Sequence, residues 1–202
     1  MPDDAPQPLW TPTPERIERA AITGFAREHG LPEDYDALWR WSVDDVARFW
    51  RLIWDHFEAG QGEPGPALTD ASMPGAVWFP EAEVNFARRI FHNRNPEAVA
   101  IRHASELRDL AEVTWGELSE QTARIRAGLQ ALGVGAGDRV VAYLPNIAET
   151  VPAFLATASL GAIWSSAAPE FGSRSVIDRF AQIEPKVMLA VDGYRYGGKD
   201  FD

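Results

Sequence analysis

Residues 139–168 read RVVAYLPNIAETVPAFLATASLGAIWSSAA. Arg139–Leu144 is a nearly continuous apolar run, the pattern of a strand covered on both faces. Pro145-Asn146 interrupts it, an apolar helical stretch spans about Ile147–Leu160, and Gly161 leads into a second apolar strand, Ala162–Ser166. A strand, a crossover helix of about 10–15 residues and a second strand impose parallel pairing. The alternation continues with a helix at about Arg174–Ile183 and a third strand at Lys186–Val191. These elements predict the first βαβαβ portion of a doubly wound parallel α/β sheet.

Upstream, Thr114-Trp115-Gly116-Glu117 forms a capping box. Leu118, Thr122, Ile125, Leu129 and Leu132 give its helix a buried face, Gly133 ends it, and GAGD turns the chain into the strand at Arg139. AVAIRH (98–103) and LAEVT (110–114) read as a strand and its hairpin partner, and Val84, Ala87 and Phe91 share one helical face in WFPEAEVNFARRIF (78–91). Further upstream, Thr13-Pro14 starts a helix carrying Ile17, Ala20, Ala21, Phe25 and Glu28, and Gly30 and Pro32 stop it. Ser42–Asp45 is an acidic variant of the capping box ahead of Val46, Phe49, Trp50, Ile53, Trp54 and Phe57, an amphipathic helix with a wide aromatic stripe. A stripe this wide is expected to pack, as an N-terminal helical layer on a larger body; a partner-binding face is the sharper alternative. GQGEPGP (60–66) is a loop. The expected organisation is a helical extension and linker over 1–66 and the first part of a large α/β domain over 67–202. The chain stops one loop after its third parallel strand, so the expectation is the front part of a larger domain.

Composition narrows the function classes. Of the 202 residues, 46% are hydrophobic and 24% charged, ordinary values for a globular chain. No apolar run approaches the ~20 residues of a membrane helix, so no membrane partner is expected. The acidic, proline-containing start MPDDAPQPLW is no signal peptide, and a cytoplasmic location is expected. The absence of cysteine excludes disulfides and thiolate chemistry. A net charge of -11 argues against a nucleic-acid partner but leaves room for a small anion at a local basic site. Lysine occurs only at Lys186 and Lys199, so local positive charge comes mostly from arginine. Most of the eight tryptophans read as core packing.

Ligands of open α/β sheets bind beyond the carboxyl ends of the strands, here Pro145-Asn146, Ser165-Ser166-Ala167 and Asp192-Gly193. After the third strand comes DGYRYGGKDFD (192–202), in which Gly193, Gly198 and Lys199 repeat the G-x-x-x-x-G-K of a nucleotide phosphate loop. Asp200 stands where that loop needs Ser or Thr, Asp202 adds a second carboxylate, and no helix start follows to supply a dipole. Arg195 and Lys199 fit better as separate cations gripping a phosphate from the side, the alternative being a glycine-rich surface turn with solvated charges. In SSAAPEFGS (165–173), small residues allow close backbone approach to a ligand, Glu170 is a base without a partner, and Ser173 reads as a helix cap. The four histidines show no metal-ligand spacing, no metal site is expected, and no Ser-His-Asp set is suggested.

Taken together, WSVDDVARFW (41–50), MPGAVWFPEAEVNFA (73–87), the run from VTWGEL to PEFG (113–172) and DRFAQIEPKVMLAVDGYRYGGKDF (178–201) resemble the adenylate-forming acyl-CoA synthetases. Thr114–Gly161 is general to them, WFPEAEVNFA is similar to the acetyl-CoA synthetase-like branch, and SLGAIWSSAAPEFG with DGYRYGGKDF resembles its acetoacetate-activating members. The resemblance implies that a carboxylate attacks ATP with Mg2+ to give an acyl-adenylate, from which the thiol of coenzyme A displaces AMP; the expected acid is acetoacetate, the alternatives being another short-chain acid such as acetate, propionate or butyrate, or a non-catalytic interaction domain. It also implies that the catalytic motifs lie in the remainder of the polypeptide, so this chain alone carries no catalytic residue and no ligase activity. One site falls inside it. The resemblance implies that the loop after the third strand meets the nucleotide end of coenzyme A, which would place Arg195, Tyr196, Gly197, Gly198 and Lys199 there; Ser165 and Ser166, at the end of the second strand, lie on the neighbouring rim. The family's second arginine falls on Gly198, with Lys199 beside it, so the second cation departs from the pattern.

Overall fold

The computed structural model describes residues 9–202, so most of the acidic start, residues 1–8, lies outside the described residues. Two compact units are present, one ending at Ala82 and the other beginning at Glu83.

The first unit contains α1 (Pro14–Glu18), α2 (Ala21–Glu28), α3 (Tyr35–Asp44), α4 (Val46–His56) and two short paired strands, β1 (Leu68–Asp70) and β2 (Val77–Trp78). The single helix expected from Pro14 is two helices. Ala20 is extended (φ -71, ψ 136) and opens α2, while the Thr23 hydroxyl donates to the Ile17 carbonyl at 2.7 Å, beside the Ala20 N–H at 3.1 Å, and ties α2 to the end of α1. The capping box expected at Ser42 is also corrected. Ser42 lies inside α3, where its hydroxyl donates to the Trp39 carbonyl. A cap needs a non-helical backbone; Asp45 has one (φ -127, ψ 65) and accepts from the Arg48 N–H. On α4, Phe49 contacts Trp41 and Trp50, Trp50 meets Trp78 edge-on at 6.1 Å, and Trp54 stacks on Phe79 at 4.6 Å. The stripe is thus partly covered, and no residue of α4 is fully buried: Trp50 is 44% exposed, and Phe57, the cap just past its end, 54%.

The second unit begins with α5 (Phe86–Phe91), the hairpin β3 (Val99–Ser105) and β4 (Arg108–Thr114), and α6 (Trp115–Ala131). Its centre is β5 (Arg139–Tyr143), α7 (Thr150–Ser159), β6 (Ile163–Ala167), α8 (Ser173–Ala181) and β7 (Val187–Ala190), and it ends in β8 (Tyr194–Tyr196) and β9 (Lys199–Phe201). The capping box of α6 forms as expected: the Glu117 N–H donates to the Thr114 hydroxyl oxygen at 3.2 Å and the Thr114 N–H to the Glu117 carboxylate at 2.8 Å. Leu118, Thr122 and Leu129 are buried, but Leu132 is 63% exposed, because it caps the helix after its last turn.

The parallel sheet has the order β6-β5-β7. Val140, Val141 and Ala142 of the middle strand are completely buried. Val140 packs with Leu129 of α6, Val134 of the loop after it and Ala156 of α7, and Val141 packs with Val176 and Phe180, from α8. Successive strand residues face opposite ways, so helices cover both faces and the sheet is doubly wound. At its amino end Asp138 accepts from the Gly135 N–H at 2.8 Å and pairs with Lys186 at 3.0 Å, which ties the start of β5 to the approach of β7. These contacts, the backbone donor first, hold the Asp138 carboxyl below its usual pKa.

Candidate functional site at the carboxyl rim of the sheet

Tyr143 pairs in register with Ala167 on one side and Ala190 on the other, so the three parallel strands end level. The strand expected to end at Ser166 runs one residue further. Ser165 and Ser166 are therefore β6 residues, opposite Val141 and Ala142, and the turn begins at Ala168. The Tyr143 hydroxyl lies 2.9 Å from the Pro169 carbonyl oxygen and 2.7 Å from that of Phe171, folding this turn over the end of β5. Ser173 begins α8 without capping it; the cap is Gly172, with no side-chain bond.

After β7 the chain forms the hairpin β8–β9. A Cβ at Gly193 would lie 2.8 Å from the Phe201 carbonyl oxygen, so only glycine lets the hairpin close at its base. The Tyr194 and Phe201 rings stack there at 5.0 Å. The tip is the two-residue turn Gly197-Gly198, with φ of 60 and 72, the positive values that match the twist of a tight hairpin. Both tip N–H groups point at one carboxylate: Gly197 donates to Glu106 Oε1 at 2.7 Å and Gly198 to Glu106 Oε2 at 2.8 Å. Glu106 sits in the turn between β3 and β4.

Arg195 lies opposite Asp200 and Tyr196 opposite Lys199. Opposed residues share a face of the hairpin and successive ones alternate, so Arg195 and Lys199 are on different faces. Arg195 forms a two-pronged ion pair with Asp200, with bonds of 2.6 and 2.8 Å. That hydrogen bonding holds the guanidinium above, and the Asp200 carboxyl below, their ordinary pKa values. The segment does not fit a magnesium-nucleotide loop: a strand follows the glycines, the residue at the hydroxyl position is bound to arginine, and the tip N–H groups already hold an anion.

One cluster arises in the first unit that sequence spacing did not show. Glu28 and His29 at the end of α2 meet His56 at the end of α4, with donor atoms within 4.8 Å of one another and His56 Nδ1 3.4 Å from Glu28. Glu106 was equally invisible in the sequence, because it lies 91 residues from Gly197 and belongs to no motif.

Residues 87–200 match the family model described as AMP-binding enzyme. The chain belongs to the AMP-binding enzyme family. Within this family, residues 35–89 also match the acetyl-coenzyme A synthetase N-terminus. The acetoacetyl-coenzyme A synthetase of Rhizobium meliloti (strain 1021) is 42% identical across 98% of the chain, and the acetoacetyl-CoA synthetase of Danio rerio 36% across 96%. The solved acetoacetyl-CoA synthetase from Streptomyces lividans superposes with a TM-score of 0.92 at 48% identity, across 98% of the chain. The chain spans about a third of each of these AMP-binding relatives: 31%, 30% and 32% of their lengths.

Proposed function

We propose that the chain is the N-terminal portion of an acetoacetate-CoA ligase. The full polypeptide joins acetoacetate to ATP as an acyl-adenylate and passes the acyl group to coenzyme A, giving acetoacetyl-CoA, AMP and pyrophosphate. The observation that carries this reading is similarity across nearly the whole chain to proteins named for that activity, at up to 48% identity. In this reading residues 1–66 are an extension and residues 67–202 the first part of the large α/β domain. ATP, Mg2+ and the acetoacetate pocket are served by the remainder of the polypeptide. The protein works in the cytoplasm, and no described helix is long and apolar enough to cross a membrane.

This chain's own contribution is to coenzyme A. The β8–β9 hairpin stands at the carboxyl rim, where open sheets bind ligands. Its Arg195 presents a planar cation suited to phosphate, and Tyr196, Gly197, Gly198 and Lys199 form the tip that presents it, with Lys199 on the opposite face toward the rest of coenzyme A. Asp200 keeps the guanidinium in place until phosphate competes for it. Ser165 and Ser166 belong to the adjoining strand and support the same rim.

The test is pyrophosphate release by the full polypeptide with acetate, propionate, butyrate and acetoacetate in turn. Acetoacetate is expected to give the largest kcat/KM. Preference for another acid, or no acid-dependent release, overturns the reading.

A further inference from the structure

We infer that Glu106 is a positioning residue that fixes the tip of the β8–β9 hairpin for coenzyme A, acting as a resident anion in the backbone cradle of Gly197 and Gly198. The inference rests on the proposed role of the hairpin and adds a residue that neither the sequence motifs nor the family resemblance points to.

The geometry is specific. Two successive glycines with positive φ turn their N–H groups the same way, and such a pair forms a concave anion site. One carboxylate fills it, each oxygen taking one N–H at 2.7 and 2.8 Å. Bonds from backbone N–H to an ionised carboxylate are among the stronger kinds. The donor of that carboxylate is well placed to hold still. Glu106 lies in the turn joining β3 and β4, which pair from Val99–Thr114 to Ser105–Arg108. At the foot of that turn Leu107 N–H donates to the Ser105 hydroxyl oxygen, and Arg108 pairs with Glu149, which precedes α7, at 2.6 Å.

The hairpin needs such an anchor. Its strands have three residues each, and a two-stranded hairpin of this size has little stability of its own. It follows β7 through Asp192 and Gly193. The Tyr194–Phe201 stack lies within the hairpin and only joins its two strands at the base, whereas Glu106 ties the tip to the β3–β4 turn. With the tip fixed as well as the base, which is continuous with the chain after β7, Arg195, one strand pair below the turn, is presented in one place. The resident carboxylate also fills the N–H groups that a free phosphate would seek, which leaves Arg195 as the phosphate contact of the hairpin and keeps the cleaved phosphates of ATP from binding there. Holding a binding group in place before the ligand arrives improves affinity without adding a contact.

The experiment uses the full polypeptide with Glu106→Ala, Glu106→Gln and Arg195→Ala. Amide hydrogen exchange reads the tip directly. In Glu106→Ala the Gly197 and Gly198 N–H groups are expected to exchange at least about ten-fold faster. Glu106→Gln keeps one acceptor oxygen and should fall between the two. With coenzyme A varied, Glu106→Ala should raise KM by about three- to ten-fold while kcat changes less than about two-fold, with Glu106→Gln again intermediate. Unchanged exchange overturns the anchoring. Faster exchange with unchanged KM for coenzyme A overturns the positioning role. If Arg195→Ala raises that KM and Glu106→Ala does not, this inference alone fails. If neither variant moves it, the coenzyme A reading of the hairpin fails, and this inference with it.

Discussion

Helix α4 and strand β5 are both written in apolar residues, yet they end in different surroundings. On β5, Val140, Val141 and Ala142 are sealed completely, with α6 and α7 on one face and α8 on the other. On α4, a stripe of aromatics only half disappears, and Trp50 keeps 44% of its surface exposed. A strand that is apolar at every position has no face to show to water, so its sequence already states that two layers cover it. An amphipathic stripe states only that one side turns inward. How far it is covered depends on elements elsewhere in the chain, here Trp78 and Phe79.

The largest expected effect tests the sealed side. Phe180, 5% exposed against Val141, should cost about 3–5 kcal/mol when replaced by alanine, read as a lower denaturation midpoint in urea. A loss near 1 kcal/mol would remove the contrast by showing that α8 packs loosely. Next is Trp50→Ala, which should cost about 2 kcal/mol, since roughly half of a tryptophan's area is buried. Fluorescence of Trp50 should also be open to an aqueous quencher. A loss as large as that at Phe180, with Trp50 shielded, would mean that the full polypeptide covers the stripe.

The smallest effect concerns the polar clasp beneath β5. Asp138 has a folded pKa below its unfolded value of about 4. Its stabilisation is therefore complete above that unfolded value and is lost as the pH falls through the lower, folded one. Asp138→Asn should be less stable than the parent at neutral pH, and the difference should shrink on acidification below about pH 4. A difference independent of pH would show that the Gly135 and Lys186 contacts do not depend on the charge.

What was legible follows the range of each interaction. The βαβαβ core, the α6 capping box and the placement of the hairpin segment after β7 were all readable, because periodicity and caps act within a few residues. Boundaries slipped by one or a few positions at Ser166, Ser173 and Ser42, where small polar residues fit a strand end, a cap or a helix interior alike. Helix α3 was missed, since YDALWRWSVD has an uneven apolar pattern and its cap, Asp34, stands in an acidic cluster. At the site, the cations and glycines were visible as residue types. Their partners were not: the pairing of Arg195 with Asp200 depends on hairpin register, and Glu106 reaches the tip across the fold.

The central position of β5 also orders events as the chain emerges during synthesis. Arg139 and Ile163, which pair, are 24 positions apart, whereas Val140 and Val187 are 47 apart. Closing the longer loop costs about 0.6 kcal/mol more in chain entropy, and its far end leaves the ribosome later. The β5–α7–β6 unit can therefore assemble first, offering an open edge of β5 as the template on which β7 docks and, behind it, the hairpin.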